Sequence, residues 1–140
     1  MRYTDEKLSA IYDRTSGYCH ICHKKLSFQN YGKHGKKGAW QVEHSRARAK
    51  DGSDRTGNLY PACIDCNLEK STATTRTARA WHGTSRAPLS RQRRRDAKRS
   101  GAVVGGIVGG LLGALAGPWG AAAGVAIGAK LGHDADPDDR

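Results

Sequence analysis

Residues 40–71 read WQVEHSRARAKDGSDRTGNLYPACIDCNLEKS. The first five alternate apolar and polar side chains, which predicts a strand ending near His44. A polar loop follows and closes at Gly57. The CxxC pair Cys63 and Cys66 then forms a knuckle, and the spacing of Cys66, Asn67 and Lys70 predicts a helix beginning within it or just after it. A second CxxC pair, Cys19 and Cys22, lies upstream with 40 residues between the pairs.

Two such pairs in a short chain ask for a metal. Nothing in MRYTDEKLSAIYDR has the continuous apolar run of a signal peptide, so disulfides are disfavoured. Cys19, Cys22, Cys63 and Cys66 therefore predict a tetrahedral structural zinc site. Free or redox-active thiols are the alternative. A domain of about 100 residues or fewer has a limited core, which makes a metal scaffold useful. His20 and His23 follow cysteines of the first knuckle, but four thiolates already complete the site.

The chain has 140 residues and a net charge of +11. Residues 1–100 hold 22 Lys+Arg against 9 Asp+Glu, and residues 101–140 hold 2 against 4. The positive charge belongs wholly to the first hundred residues and calls for an anionic partner, nucleic acid or an anionic membrane face.

Metal-assisted phosphodiester hydrolysis needs a base for water and a cation beside the phosphate. His44 offers the base, since imidazole titrates near neutrality. Glu43 offers a carboxylate and Asn67 a carbonyl oxygen for a divalent ion, Mg2+ or Mn2+. Neighbouring side chains on a strand point apart, so the strand must turn or end here for Glu43 and His44 to share a site. Glu43 facing solvent as an ordinary acid is the other reading. Cys66 would fix Asn67 in place, making zinc the scaffold and the second metal the chemistry. Arg46, Arg48, Lys50 and Lys70 are phosphate-binding candidates, and Lys33, Lys36 and Lys37 form a basic loop.

The order VEH, then GN and L, then CIDCN with a following Lys resembles the HNH endonuclease family in its four-cysteine form, across roughly residues 18–71. The resemblance implies a small α+β domain of the ββα-metal fold that cleaves nucleic acid. It implies His44 as general base, Glu43 and Asn67 as ligands of the catalytic ion, and the four cysteines as zinc ligands. Asn58 would order the loop and the base; capping the next helix is a compatible role. The sequence departs from the pattern at Glu43, where Asp is commoner, and in HSRARA, which lacks the apolar residue and proline that often follow the His.

Around this centre, TDEKLSAIYDRT predicts a helix with Thr4 as its cap and Leu8, Ile11 and Tyr12 on one face. STATTRTARAWHG reads as helix or loop. Trp40 reads as core, while Trp81 among basic neighbours could also stack on a base. The expected organisation is 1–85 nuclease-like zinc domain, 86–100 basic linker, 101–132 Gly-rich apolar segment and 133–140 acidic tail. Gly101, Gly105, Gly109, Gly113 and Gly117 repeat every four residues, and Gly120, Gly124, Gly128 and Gly132 repeat again after Pro118. Each row marks one helix face, and this glycine-zipper-like pattern suits close helix packing in lipid. A Gly-rich helical hairpin is expected, with helices of about 26 and 20 Å against a hydrocarbon core of about 30 Å. A disordered Gly/Ala spacer is the alternative.

The expected function is therefore a divalent-metal-dependent endonuclease acting on double-stranded DNA with little sequence preference. The expected place is the cytoplasm, on the cytoplasmic face of a membrane contacted through 101–132, with a homo-oligomer open. Two other readings stand: a zinc-stabilised nucleic-acid-binding module without catalysis, and a membrane-active protein with a basic head.

Overall fold

The computed structural model describes residues 3–113 and 118–134. It divides into two units, Met1–Arg91 and Gln92–Arg140.

The first unit opens with α1 (Asp5–Asp13), whose N-terminus is closed by Thr4: its hydroxyl accepts a hydrogen bond from the Lys7 amide. Asp5 and Glu6 sit in the first turn, where the helix dipole favours anions. Leu8 and Ile11 are buried as the periodicity expects, and Tyr12 is half-buried. The chain then turns through Gly17 at φ +76°, where an added Cβ would stand 2.5 Å from the Tyr12 ring, so only glycine serves. Tyr12 reaches on to donate to the Leu26 carbonyl at 2.7 Å.

Strands β1 (Trp40–His44) and β2 (Leu59–Cys63) form one antiparallel pair, in register Trp40 with Cys63 and His44 with Leu59. Helix α2 (Ile64–Lys70) follows β2 directly, and α3 (Thr75–Trp81) is capped by Thr74. The order β1, β2, α2 is the ββα arrangement expected from the resemblance. Trp40 is fully buried and packs near Tyr12, Phe28 and Tyr31, confirming it as core. Leu8, Ile11, Ile21, Leu26, Leu59, Ala62 and Ala78 complete that core beside Cys19 and Cys66. Trp81 is 51% exposed.

The second unit differs from expectation at its start. Helix α4 (Arg91–Gly113) begins inside the expected linker and carries the basic run straight into the first glycine row. Helix α5 (Pro118–Asp134) starts at Pro118, a first-turn position where the missing amide hydrogen costs nothing. The two approach closely where side chains are smallest. A Cβ on Gly106 would lie 3.5 Å from the Ala129 Cβ, and one on Gly132 only 2.0 Å from the Gly101 carbonyl oxygen. Glycines 117 and 120, and the expected acidic tail beyond Asp134, lie wholly or partly outside the described residues and their side chains. No helix among the described residues is long and apolar enough to cross a membrane.

Candidate metal centre and catalytic face

The four cysteines converge. One CxxC lies between α1 and β1, and the other ends β2 and opens α2. The sulfurs of Cys19, Cys22, Cys63 and Cys66 all lie within 4.8 Å of one another. Cys22 and Cys63 are 3.7 Å apart, too far for a disulfide and close to the ~3.8 Å edge of a tetrahedron with Zn–S near 2.3 Å. The first knuckle is tied to β2 by the His20 amide, which donates to the Pro61 carbonyl at 3.0 Å. Hydrogen bonding among the crowded sulfurs pushes Cys22 down and Cys66 up. The donor set and spacing fit structural zinc.

His44 ends β1 and turns toward the following loop. Its Nε2 lies 2.7 Å from Asp54 Oδ1. Arg48 completes the cluster, donating from Nη2 to the same carboxylate oxygen at 2.6 Å. His44 and Arg48 together hold the Asp54 carboxyl down at about 2. Asp54 is therefore an anion at neutral pH, and it meets His44 Nε2 together with Arg48, whose Nε–H also approaches that nitrogen at 3.1 Å. Sequence reasoning missed Asp54, because an Asp in a polar loop carries no local sign of its partner ten residues away.

Asn58 holds this loop from three sides. Its Oδ1 accepts from the Arg46 amide at 2.7 Å, and its Nδ2 donates to the carbonyls of Arg46 and Ser53 at 3.0 and 2.8 Å. Its own carbonyl accepts from the Ser45 amide at 2.9 Å. Both residues after His44 are thus held by Asn58. Gly52 is needed in the same loop: a Cβ there would lie 1.8 Å from the Arg46 carbonyl oxygen.

Glu43 departs from its expected position. It is only 2% exposed and points away from His44, as strand alternation requires. Its Oε1 lies 2.7 Å from Lys70 Nζ, and its Oε2 lies 2.7 Å from His20 Nε2. The His20 approach is close but poorly directed, so neither atom makes a well-aligned hydrogen bond. Burial alone would raise the Glu43 carboxyl; His20 and then Lys70 outweigh it and hold it ionised. Burial lowers His20 despite Glu43, so its ring is neutral. Arg79 Nη2 stands 3.3 Å from His20 Nδ1, which makes Nδ1 the acceptor and puts the ring proton on Nε2, facing Glu43.

Lys70 is corrected by the same cluster. It is 2% exposed, and Nζ also donates to the His44 carbonyl at 3.1 Å. As arranged it braces β1 against α2 and cannot contact a phosphate. Asn67, one turn earlier on α2, donates to Gln41 Oε1 at 2.9 Å. Asn67 and Glu43 therefore reach the same seam between α2 and β1, while His44 works from the other side of the strand end. The Lys70 ammonium marks a place in that seam where positive charge already rests against Glu43.

Arg46, Arg48 and Lys50 lie on the loop after His44, with at least part of each side chain exposed. A separate cleft of about 660 Å³ is lined by Lys24, Lys25, His34, Lys36 and Lys37 beside Cys63 and Asp65. It lies at the Trp40–Cys63 end of the hairpin, about 13 Å along the strands from His44.

Residues 19–73 match the family model described as HNH endonuclease. The matched stretch takes in both CxxC pairs, both strands and α2, and is similar to that family over this part of the chain, with a cysteine cluster suited to zinc. No curated protein and no solved structure matches the chain significantly.

Proposed function

We propose that the first unit is a divalent-metal-dependent endonuclease that hydrolyses phosphodiester bonds of nucleic acid, DNA foremost, with His44 as general base. The observation that supports this most is the setting of His44. It stands at an open strand end, its ring is oriented by an ionised Asp54, and its following residues are pinned by Asn58. Such positioning is what a base needs to take a proton from water at the moment of attack.

In this reading Nε2 stays bonded to Asp54 while Nδ1 accepts the proton, and Asp54 stabilises the imidazolium that results. Glu43 and Asn67 would hold the catalytic ion, Mg2+ or Mn2+, once Lys70 is drawn off the carboxylate it pairs with. When bound, the ion supplies charge stabilisation at the phosphate and leaving oxygen. Arg46, Arg48 and Lys50 bind the flanking phosphates. They carry no base-reading pattern, so sequence preference is weak. A supercoiled-plasmid assay with Mg2+, Mn2+ and EDTA arms tests the reading. Nicking or linearisation in the metal arms alone supports it. Binding without cutting in every arm favours a zinc-stabilised binding module, a reading to which the occupied Glu43 lends weight.

A second proposal concerns the tail: helices α4 and α5 lie against an anionic membrane surface. Val103, Val104, Ile107, Leu111, Leu112, Ile127 and Leu131 are each more than half exposed, whereas Gly101 and Gly106 are buried. Small residues inside and large apolar residues outside is the pattern of helices packed in lipid. Arg93, Arg94, Arg95, Lys98 and Arg99 precede the apolar run and suit anionic headgroups. Vesicle flotation of the full chain against a truncation after Ser100 tests it; equal failure of both to float rejects it.

A further inference from the structure

Cys66 has neighbours beyond the other three cysteines. Glu69 follows it by three positions on α2, so both side chains leave the same helix face. His82, at the C-terminal cap of α3, brings Nε2 to 3.5 Å from Cys66 Sγ and 3.0 Å from Glu69 Oε2. All three donor atoms lie within 4.8 Å of one another.

We infer that Cys66, Glu69 and His82 form a second divalent-cation site, taking zinc or a similar borderline ion, with the Cys66 thiolate bridging to the structural zinc. One imidazole nitrogen offers a single proton or a single lone pair, so Nε2 cannot satisfy a thiolate and a carboxylate together. Two anionic donors converging on that nitrogen are reconciled by a cation among them. The 3.5 Å between Cys66 and His82 suits one, while His82 and Glu69, 3.0 Å apart, would part by about 0.4 Å to admit it. Tetrahedral zinc with ordinary bond lengths places its S and N ligands about 3.6 Å apart and its N and O ligands about 3.4 Å apart. Thiolate, imidazole and carboxylate together match the preferences of zinc better than those of magnesium.

The site differs from the first in access. The side chains of His82 and Glu69 are 29% and 52% exposed, so water completes the coordination. Three protein ligands with open positions is the form that activates water or accepts an outside ligand, whereas the four-cysteine site is closed. The second ion is accordingly the weaker one, lost first to a mild chelator.

The test is stepwise zinc addition to the full-length, one-zinc protein, followed by native mass spectrometry and titration calorimetry. The wild type takes up a second equivalent. His82→Ala and Glu69→Gln each weaken that step by at least about tenfold, and leave the first equivalent and the circular dichroism spectrum unchanged. With Co2+ in place of zinc, the second equivalent alters the thiolate charge-transfer bands in the wild type, because Cys66 becomes a bridge, and does not in the variants. A wild type that stops at one zinc, or a second zinc held equally by both variants, overturns the inference.

Discussion

Lys70→Met removes the ammonium that faces Glu43 and keeps most of the side-chain volume. The pair lies 2.7 Å apart with both side chains 2% exposed. At that distance and an effective dielectric near 20 the attraction is about 6 kcal/mol. Breaking a buried pair from one side costs about 3–5 kcal/mol, because the remaining charge stays buried. His20 still faces the other carboxylate oxygen, which places the expected loss near 3 kcal/mol. With a urea m-value of about 2 kcal/mol/M, the midpoint falls by about 1.5 M. The assay is urea unfolding with zinc held constant. The double variant Glu43→Gln/Lys70→Met removes both charges and recovers at least half of the loss. Acid sharpens the test. Burial raises the Glu43 carboxyl, but His20 and Lys70 hold it below its ordinary value. Its contribution is therefore complete above the unfolded carboxylate range of about 4.3 and lost as pH falls through the folded value. The gap between wild type and Lys70→Met narrows on acidification. A Lys70→Met protein within about 0.5 kcal/mol of wild type at neutral pH refutes the reasoning.

Other consequences follow from single contacts. Removing zinc with a strong chelator unfolds the first unit, since a structural zinc contributes on the order of 10 kcal/mol, as much as the whole stability of a small domain; loss of near-UV circular dichroism reports it, and Cys63→Ser behaves alike. Gly52→Ala drives a Cβ against the Arg46 carbonyl, so the loop bearing Asp54 shifts and turnover drops about tenfold or more, while measured zinc content stays at one per chain. Asp54→Asn lowers kcat with little change in KM, because it orients the base and does not bind substrate. DNA affinity falls steeply between about 50 and 200 mM salt, as phosphate contacts release counterions; fluorescence anisotropy across that range should show it for unrelated duplexes alike.

What could be read from the sequence was whatever repeats locally. Thr4 before an apolar helical pattern gave α1 and its cap. Alternation up to VEH gave β1 and its end near His44, and two CxxC pairs gave the four-cysteine cluster, because metal geometry leaves cysteines at that spacing few other partners. Partners chosen by tertiary packing could not be read. Lys70 resembles any helix-end lysine until β2 turns α2 so that its ammonium meets Glu43. Strand alternation warned that Glu43 and His44 point apart, yet only the fold shows His20 and Lys70 waiting on the inner side. Asp54 reaches His44 because Asn58 and Gly52 bend the loop back, and no periodicity records such a bend. In the tail, the start of α4 at Arg91 was hidden by charge: a run of arginines has good helix propensity but reads as a linker.

His44 is the residue on which the proposed chemistry rests. The decisive measurement is the single-turnover cleavage rate of His44→Ala against wild type on plasmid DNA, at matched zinc content and matched DNA affinity. The account predicts a loss of about 10²–10⁴-fold with zinc and binding unchanged. Cleavage by His44→Ala at the wild-type rate would contradict it.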